Sequence, residues 1–178
     1  AILKEIEPKI ILDIGCGVGG LLSYTNDYSK NYLGIDIDEK CLECFRQKYP
    51  TYKLLQGSAY QLPFQDSCFD CIVSTSTLQH ILYLDQFLEE IDRITTDNSN
   101  VIISVPNEGG LAWGLGRQVS TARKYKNEPF SYIRSNQIQH VNCIWQVEKT
   151  LRRYFKIFNR ILTPFRIPNY HLNLMTTF

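Results

Sequence analysis

The sequence predicts an α/β fold built on a mostly parallel sheet, and three observations carry that reading. Apolar runs of strand length alternate with stretches whose apolar residues recur at helical spacing. The first run, Ile10–Ile14, breaks at once into Gly15-Cys16-Gly17-Val18-Gly19-Gly20, the form of a buried strand feeding a tight loop and a helix. Aspartates stand at the ends of the first two strands, Asp13 and Asp36.

Composition bounds the rest. At 178 residues, 44% hydrophobic and 21% charged, the chain has material for one domain with a sizeable core. The expected organisation is a single domain over residues 1–178 with a lid-like insertion at about 107–139. A net charge of +1 gives no large field for nucleic acid or an anionic membrane. No apolar run approaches bilayer length and no secretory pattern is present, so a cytoplasmic monomer or homodimer is expected.

Ala1–Ile6 reads as the end of a helix stopped by Pro8. After the first strand and glycine loop, a helix is expected from about Gly19 to Tyr28, then a strand over Tyr32–Asp36. Asp38 caps the next helix, where Leu42, Phe45 and Tyr49 recur at helical spacing before Pro50. Strands follow over Tyr52–Gln56 and Phe69–Ser74. Asp85 starts a helix with Phe87, Leu88, Ile91 and Ile94 on its buried face, Asp97-Asn98 reads as a turn, and Val101–Val105 as the fifth strand. Near the end, Ile144, Val147, Leu151 and Tyr154 give a helical face. Lys156–Leu162 and His171–Phe178 read as two strands joined too tightly for a crossover, hence antiparallel.

Gly15, Gly17 and Gly20 satisfy a dinucleotide-type GxGxxG spacing, a weak signal by itself. Asp13 stands where a diphosphate would approach the loop, and a carboxylate there repels phosphate and attracts a cation. S-adenosylmethionine, with an ammonium group, a sulfonium and no phosphate, fits that charge. Asp36 ends the second strand at the distance where an acidic side chain binds both ribose hydroxyls.

The string Asp13-Ile14-Gly15-Cys16-Gly17-Val18-Gly19 resembles the first motif of class I S-adenosylmethionine-dependent methyltransferases. Gly57, Ala59, Leu62-Pro63-Phe64 and Phe69-Asp70 are similar to the third and fourth motifs of the same group. The resemblance implies a three-layer, Rossmann-like sandwich whose sheet has seven strands, the final one antiparallel. It implies S-adenosylmethionine as cofactor and S-adenosylhomocysteine as product. It also implies cofactor contacts from Asp13, Gly15, Gly17, Gly19, Asp36, Ile37, Ser58, Ala59 and Thr75. Ser58 departs from the pattern: relatives more often carry an aspartate there for the adenine amino group, and a serine can still accept that hydrogen bond.

Methyl transfer to a hydroxyl calls for a base, and His80 and His140 are the candidates, each with a structural role as the alternative. His171 reads as structural. Two CxxC pairs, Cys41/Cys44 and Cys68/Cys71, have a spacing that suits zinc, but their apolar context reads as packing and no metal is expected. The stretch 107–139 combines Trp113, Tyr125, Phe130 and Tyr132 with Arg117, Arg123, Lys124, Lys126 and Arg134, which suits a ring-bearing or anionic acceptor. No Asn-Pro-Pro-Tyr-like string and no Pro-Cys pair is present, so DNA bases, glutamine and pyrimidine carbon are disfavoured as acceptors. A small molecule or saccharide is expected. The insertion and the Pro164–Leu174 segment are similar to methyltransferases of bacterial surface-polysaccharide pathways. A non-catalytic S-adenosylmethionine-binding partner and a nucleotide-dependent oxidoreductase are the other readings.

Overall fold

The structure, a computed structural model, describes residues 6, 8–24, 31–107, 110–112, 114–115, 140–155, 159–166 and 169–178. Seven strands lie in the order β3-β2-β1-β4-β5-β7-β6: β1 (Ile11–Ile14), β2 (Tyr32–Asp36), β3 (Lys53–Gln56), β4 (Phe69–Thr75), β5 (Thr95–Pro106), β6 (Ile161–Thr163) and β7 (Met175–Thr177). β1 pairs in parallel with β2 and β4, and β2 with β3, while β7 runs antiparallel to both β5 and β6. The mostly parallel sheet with an antiparallel final strand is therefore as the sequence predicts.

The chain packs as two compact units, residues 1–75 with 85–103, and residues 76–84 with 104–178. In the first, β1 is buried along its whole length, as an interior strand between β2 and β4 must be. Asp70 fixes its entry: the carboxylate accepts the N–H groups of Lys9 and Ile10, each at 2.9 Å. Helix α1 (Glu39–Lys48) starts at Asp38, whose side chain accepts the Lys40 N–H at 2.9 Å, and it buries Leu42 and Phe45. Phe45, Tyr32, Tyr49 and Tyr52 form a cluster of rings 5.2–6.3 Å apart over β2. Helix α2 (Leu84–Ile94) buries Phe87, Leu88, Ile91 and Ile94, the face that their spacing predicts. Cys41 and Cys44 lie on α1, and Cys71 is buried in β4.

In the second unit, helix α3 (Ile144–Tyr154) buries Ile144, Val147 and Leu151. Buried polar groups fasten the antiparallel strands: Asn107 Oδ1 accepts the Thr176 hydroxyl, and Asn173 Oδ1 accepts the Phe165 N–H at 2.9 Å.

Four expectations change. The helix expected from Gly19 to Tyr28 is, within the described residues, a 3₁₀ turn over Gly20–Tyr24, opened by a Leu22 N–H bond to the Gly19 carbonyl. Paired glycines make a poor helix start, and a short 3₁₀ turn demands less of them. The Asp97-Asn98 turn is absent: β5 runs straight through from Thr95, a stretch with no glycine or proline ahead of Pro106 to reverse it. The strand expected over Lys156–Leu162 is, among the described residues, the three-residue β6. The last strand shrinks to Met175–Thr177 because Asn169 builds a turn, its side chain taking the His171 N–H and its carbonyl the Leu172 N–H. His171 thus lies in a 3₁₀ turn and not in a strand. Residues 1–5 of the expected Ala1–Ile6 helix and most of the 107–139 insertion, its basic and aromatic residues included, lie outside the described residues.

Gly34 shows how tightly the glycine loop is seated. A Cβ there would lie 2.8 Å from Cys16 Sγ and 2.8 Å from Leu54 Cδ2. Gly34→Ala is therefore expected to cost about 1–3 kcal/mol by overpacking, read as a fall in Tm of roughly 2–4 °C per kcal/mol in thermal denaturation. The added substitution Cys16→Ala should recover part of that loss, because it removes one of the two clashing atoms.

Candidate functional site

The loops that follow β1, β2 and β3 are bonded to one another through Asp36. Its Oδ2 accepts the Gly17 N–H at 2.8 Å, its Oδ1 the Asp38 N–H at 2.9 Å, and its backbone carbonyl the Gly57 N–H at 3.0 Å. The Gln56 side chain adds a bond to the Ile37 carbonyl at 3.2 Å. Gly15 and Cys16 donate to the Ile35 carbonyl, so the glycine loop lies along the end of β2. The strands are parallel, and all three loops therefore leave the sheet at the same end, where open α/β sheets bind ligands.

The glycines divide by task. Gly17 has φ 53° and open space where a Cβ would stand. Gly19, φ 80°, closes onto the rings of Tyr49 and Phe45, 3.0–3.1 Å from a Cβ built there. Gly17 thus leaves open space beside its backbone, whereas Gly19 packs the loop on α1.

The two aspartates differ in the same way. Asp13 is 2% exposed, and the Tyr32 hydroxyl donates to its Oδ2 at 2.6 Å. Burial pushes its carboxyl from 3.8 up to about 7; the Tyr32 bond opposes the rise and the nearby Asp36 charge adds to it. The open negative charge at the loop is consequently Asp36, which is half-buried, and not Asp13. A carboxylate has about four lone-pair sites. Two of Asp36's are used by backbone N–H groups, and the remaining capacity matches a vicinal diol. Ile37, 73% exposed beside it, supplies an apolar surface for a flat ring. Ser58 Oγ accepts the Tyr60 N–H at 3.2 Å and keeps a lone pair and a proton. Ala59 is half-buried in the same turn. Asp36 and Ile37 fit a ribose-bearing ligand with a flat ring, and the Gly17 N–H is given to Asp36 and not left for a phosphate, so these donors and acceptors suit S-adenosylmethionine.

The remaining candidates follow β4. Thr75 is exposed at its end, and Ser76 takes a left-handed φ of 56°. In the second unit, His80 and His140 stack edge to face with ring centroids 4.5 Å apart. Residues 140–142 are strapped to the turn that carries His80. The Gln79 carbonyl accepts the Val141 N–H at 2.8 Å, and the Asn142 side chain donates to the carbonyls of Leu78 and Ile81. Gln79 Nε2 donates to the Ser76 carbonyl at 2.7 Å and lies 3.3 Å from His80 Nε2. Sequence reasoning singled out both histidines but not Gln79 or Asn142, the side chains that join their segments. Among the described residues, no group of three or more His, Cys, Asp or Glu is arranged to hold a metal. No helix among them is long and apolar enough to cross a membrane.

A family model described as a methyltransferase domain matches residues 12–103, a little over half of the chain. The chain belongs to this methyltransferase-domain family. S-adenosylmethionine is the cofactor of the family's enzymes, and S-adenosylhomocysteine the product. One curated relative, "Probable S-adenosylmethionine-dependent methyltransferase" of Mycolicibacterium smegmatis, is 28% identical over 97 residues, 54% of this chain and 38% of its own length. Malonyl-[acyl-carrier protein] O-methyltransferase of Pectobacterium atrosepticum is 28% identical over 102 residues, 57% of this chain and 40% of its own. The matches to curated relatives span well under two thirds of those proteins, which include both O- and N-methyltransferases. The crystal structure of the PH0226 protein from Pyrococcus horikoshii superposes with a TM-score of 0.70 at 19% identity, covering 99% of this chain and 83% of that one, a likeness of fold.

The buried carboxyl of this methyltransferase domain sets a pH dependence. Because folding raises the Asp13 pKa from 3.8 to about 7, the folded state holds a proton that the unfolded chain releases. Its contribution to stability is full below about 4 and is lost as pH rises to about 7, by at most about 1.4 kcal/mol per pH unit. Urea unfolding of Asp13→Asn, which keeps an acceptor for Tyr32, is expected to lack that decline; an unchanged slope would count against it.

Proposed function

We propose that this chain transfers the methyl group of S-adenosylmethionine to an oxygen of a small molecule or saccharide, in surface-polysaccharide synthesis or a comparable route. The observation that carries the reading is the Asp36 carboxylate, bonded to the open glycine at Gly17 and with capacity left for a ribose diol. When bound, the cofactor supplies a methyl group already activated by its sulfonium, so positioning is the protein's main task.

In this reading Asp36 binds the ribose, and Ile37 lies against the adenine. Ser58 accepts from the adenine amino group, and the Ala59 N–H serves a ring nitrogen. The Gly15–Gly17 backbone faces the methionine end, Thr75 contacts the cofactor from the end of β4, and Asp13 acts from beneath the loop. A hydroxyl acceptor must lose its proton, and His80 or His140 is the base. The oxygen assignment rests on this pair of imidazoles, since an amine acceptor already carries a free lone pair when neutral. A cytoplasmic setting, as a monomer or homodimer, belongs to the same proposal.

Calorimetry with S-adenosylhomocysteine and with NAD tests the first step: heat is expected only from the former. Asp36→Ala is expected to weaken S-adenosylhomocysteine binding by about tenfold or more. Incubation with methyl-labelled cofactor and a panel of hydroxylated and amine acceptors tests the second. Label in a hydroxylated product, falling about a hundredfold in His80→Ala or His140→Ala, is expected. Label confined to amines would overturn the oxygen assignment, and binding without turnover across the panel would favour a non-catalytic, cofactor-binding partner.

A further inference from the structure

Glu90 and Arg93 stand one turn apart on α2, and together they grip the segment that follows the Ser58-Ala59 turn. All five guanidinium N–H groups are used: Nε to Glu90 Oε1 at 2.9 Å, Nη2 to Glu90 Oε2 at 2.9 Å and the Leu62 carbonyl at 3.0 Å, Nη1 to the Phe64 carbonyl at 2.8 Å and Asp66 Oδ1 at 2.8 Å. Glu90 Oε2 also accepts the Leu62 N–H at 2.6 Å. The main chain repeats the attachment, with Ser67 and Cys68 donating to the carbonyls of Arg93 and Ile94 at 2.9 Å. Leu62 is buried, so the grip falls on a fixed point and not on a loose loop.

The other end of the segment is tied as well. Gly57 donates to the Asp36 carbonyl at 3.0 Å, and Ser58 closes a turn on the Tyr60 N–H. The Ser58-Ala59 turn is therefore held from two sides, by the end of β2 and by α2. Neither Glu90 nor Arg93 reaches the turn itself, so any effect on it passes through Leu62 and Phe64.

We propose that Glu90 and Arg93 are positioning residues for cofactor binding, which set the Ser58-Ala59 turn against the adenine by fixing the backbone at Leu62 and Phe64. The proposal rests on the reading above that this turn faces adenine. Only a planar fork can serve two carbonyls and two carboxylates that diverge around it; a lysine keeps the charge but gathers its donors on a single atom.

Calorimetry with S-adenosylhomocysteine on wild type, Arg93→Lys and Arg93→Ala tests it, at a temperature where circular dichroism shows each protein folded. Arg93→Lys is expected to bind about tenfold more weakly, with 5′-methylthioadenosine losing the same factor because the defect lies at the adenine. Glu90→Gln, which keeps an oxygen for the Leu62 N–H, is expected to lose less, about threefold. Arg93→Lys restores a charge but not the fork, so a purely structural role would lower Tm and leave affinity intact. Wild-type affinity in folded Arg93→Lys would overturn the proposal while leaving the cofactor reading standing. A wild type that does not bind S-adenosylhomocysteine would overturn both.

Discussion

The hydrogen bond from the Gly17 N–H to Asp36 Oδ2, 2.8 Å long, is the contact on which the site depends. It joins the loop after β1 to the end of β2, and the same residue's backbone carbonyl holds the loop after β3. One aspartate thus organises three loops that are far apart in sequence. Charge makes the bond stronger than a neutral one would be. Each carboxylate oxygen takes one backbone N–H, from Gly17 and Asp38, which leaves part of its accepting capacity unused. In the proposed reading the same side chain builds the loop and meets the ligand, which would link the stability of the site to its occupancy.

Two carboxylates near one loop repel each other, and the fold resolves this by separating their environments. Asp13 is drawn into the core beneath Tyr32, where burial favours its protonated form, and Asp36 remains at the surface. The loop therefore presents one open negative charge rather than two. An acid at the end of the second strand also serves the ribose of dinucleotides, so the preference read from Asp13 does not pass to Asp36 by charge; what Asp36 does is take the Gly17 N–H for itself. The aromatic cluster of Tyr32, Phe45, Tyr49 and Tyr52 supports both arrangements, because Tyr32 binds Asp13 and the rings of Phe45 and Tyr49 seat Gly19.

Much of this was legible in the chain. The strand at Tyr32–Asp36 and the Asp38 cap follow from local rules of pattern and capping, and so does the buried face of α2. Asp36 was legible as the acid that closes the second strand, and the structure shows it capping the turn through the Asp38 N–H as well as holding Gly17. The depth of Asp13 was not, because strand periodicity does not tell that the Tyr32 hydroxyl of the neighbouring strand reaches over to cover it. Arg93 was missed for a related reason: its partners at Leu62, Phe64 and Asp66 lie about thirty residues away, and only its i,i+3 spacing to Glu90 hinted at a pair. The run of β5 was missed where the local turn preference of Asp97-Asn98 yielded to pairing in the sheet, and the Asn169 turn for the opposite reason, a local side-chain bond that delays the last strand.

The most direct measurement is a crystal structure of the chain with S-adenosylhomocysteine bound, read at Asp36. Both ribose hydroxyls are expected within about 2.6–3.0 Å of its carboxylate, with the Gly17 N–H bond still in place. A ribose seated elsewhere, or an Asp36 that has released Gly17 to face solvent, would contradict the account.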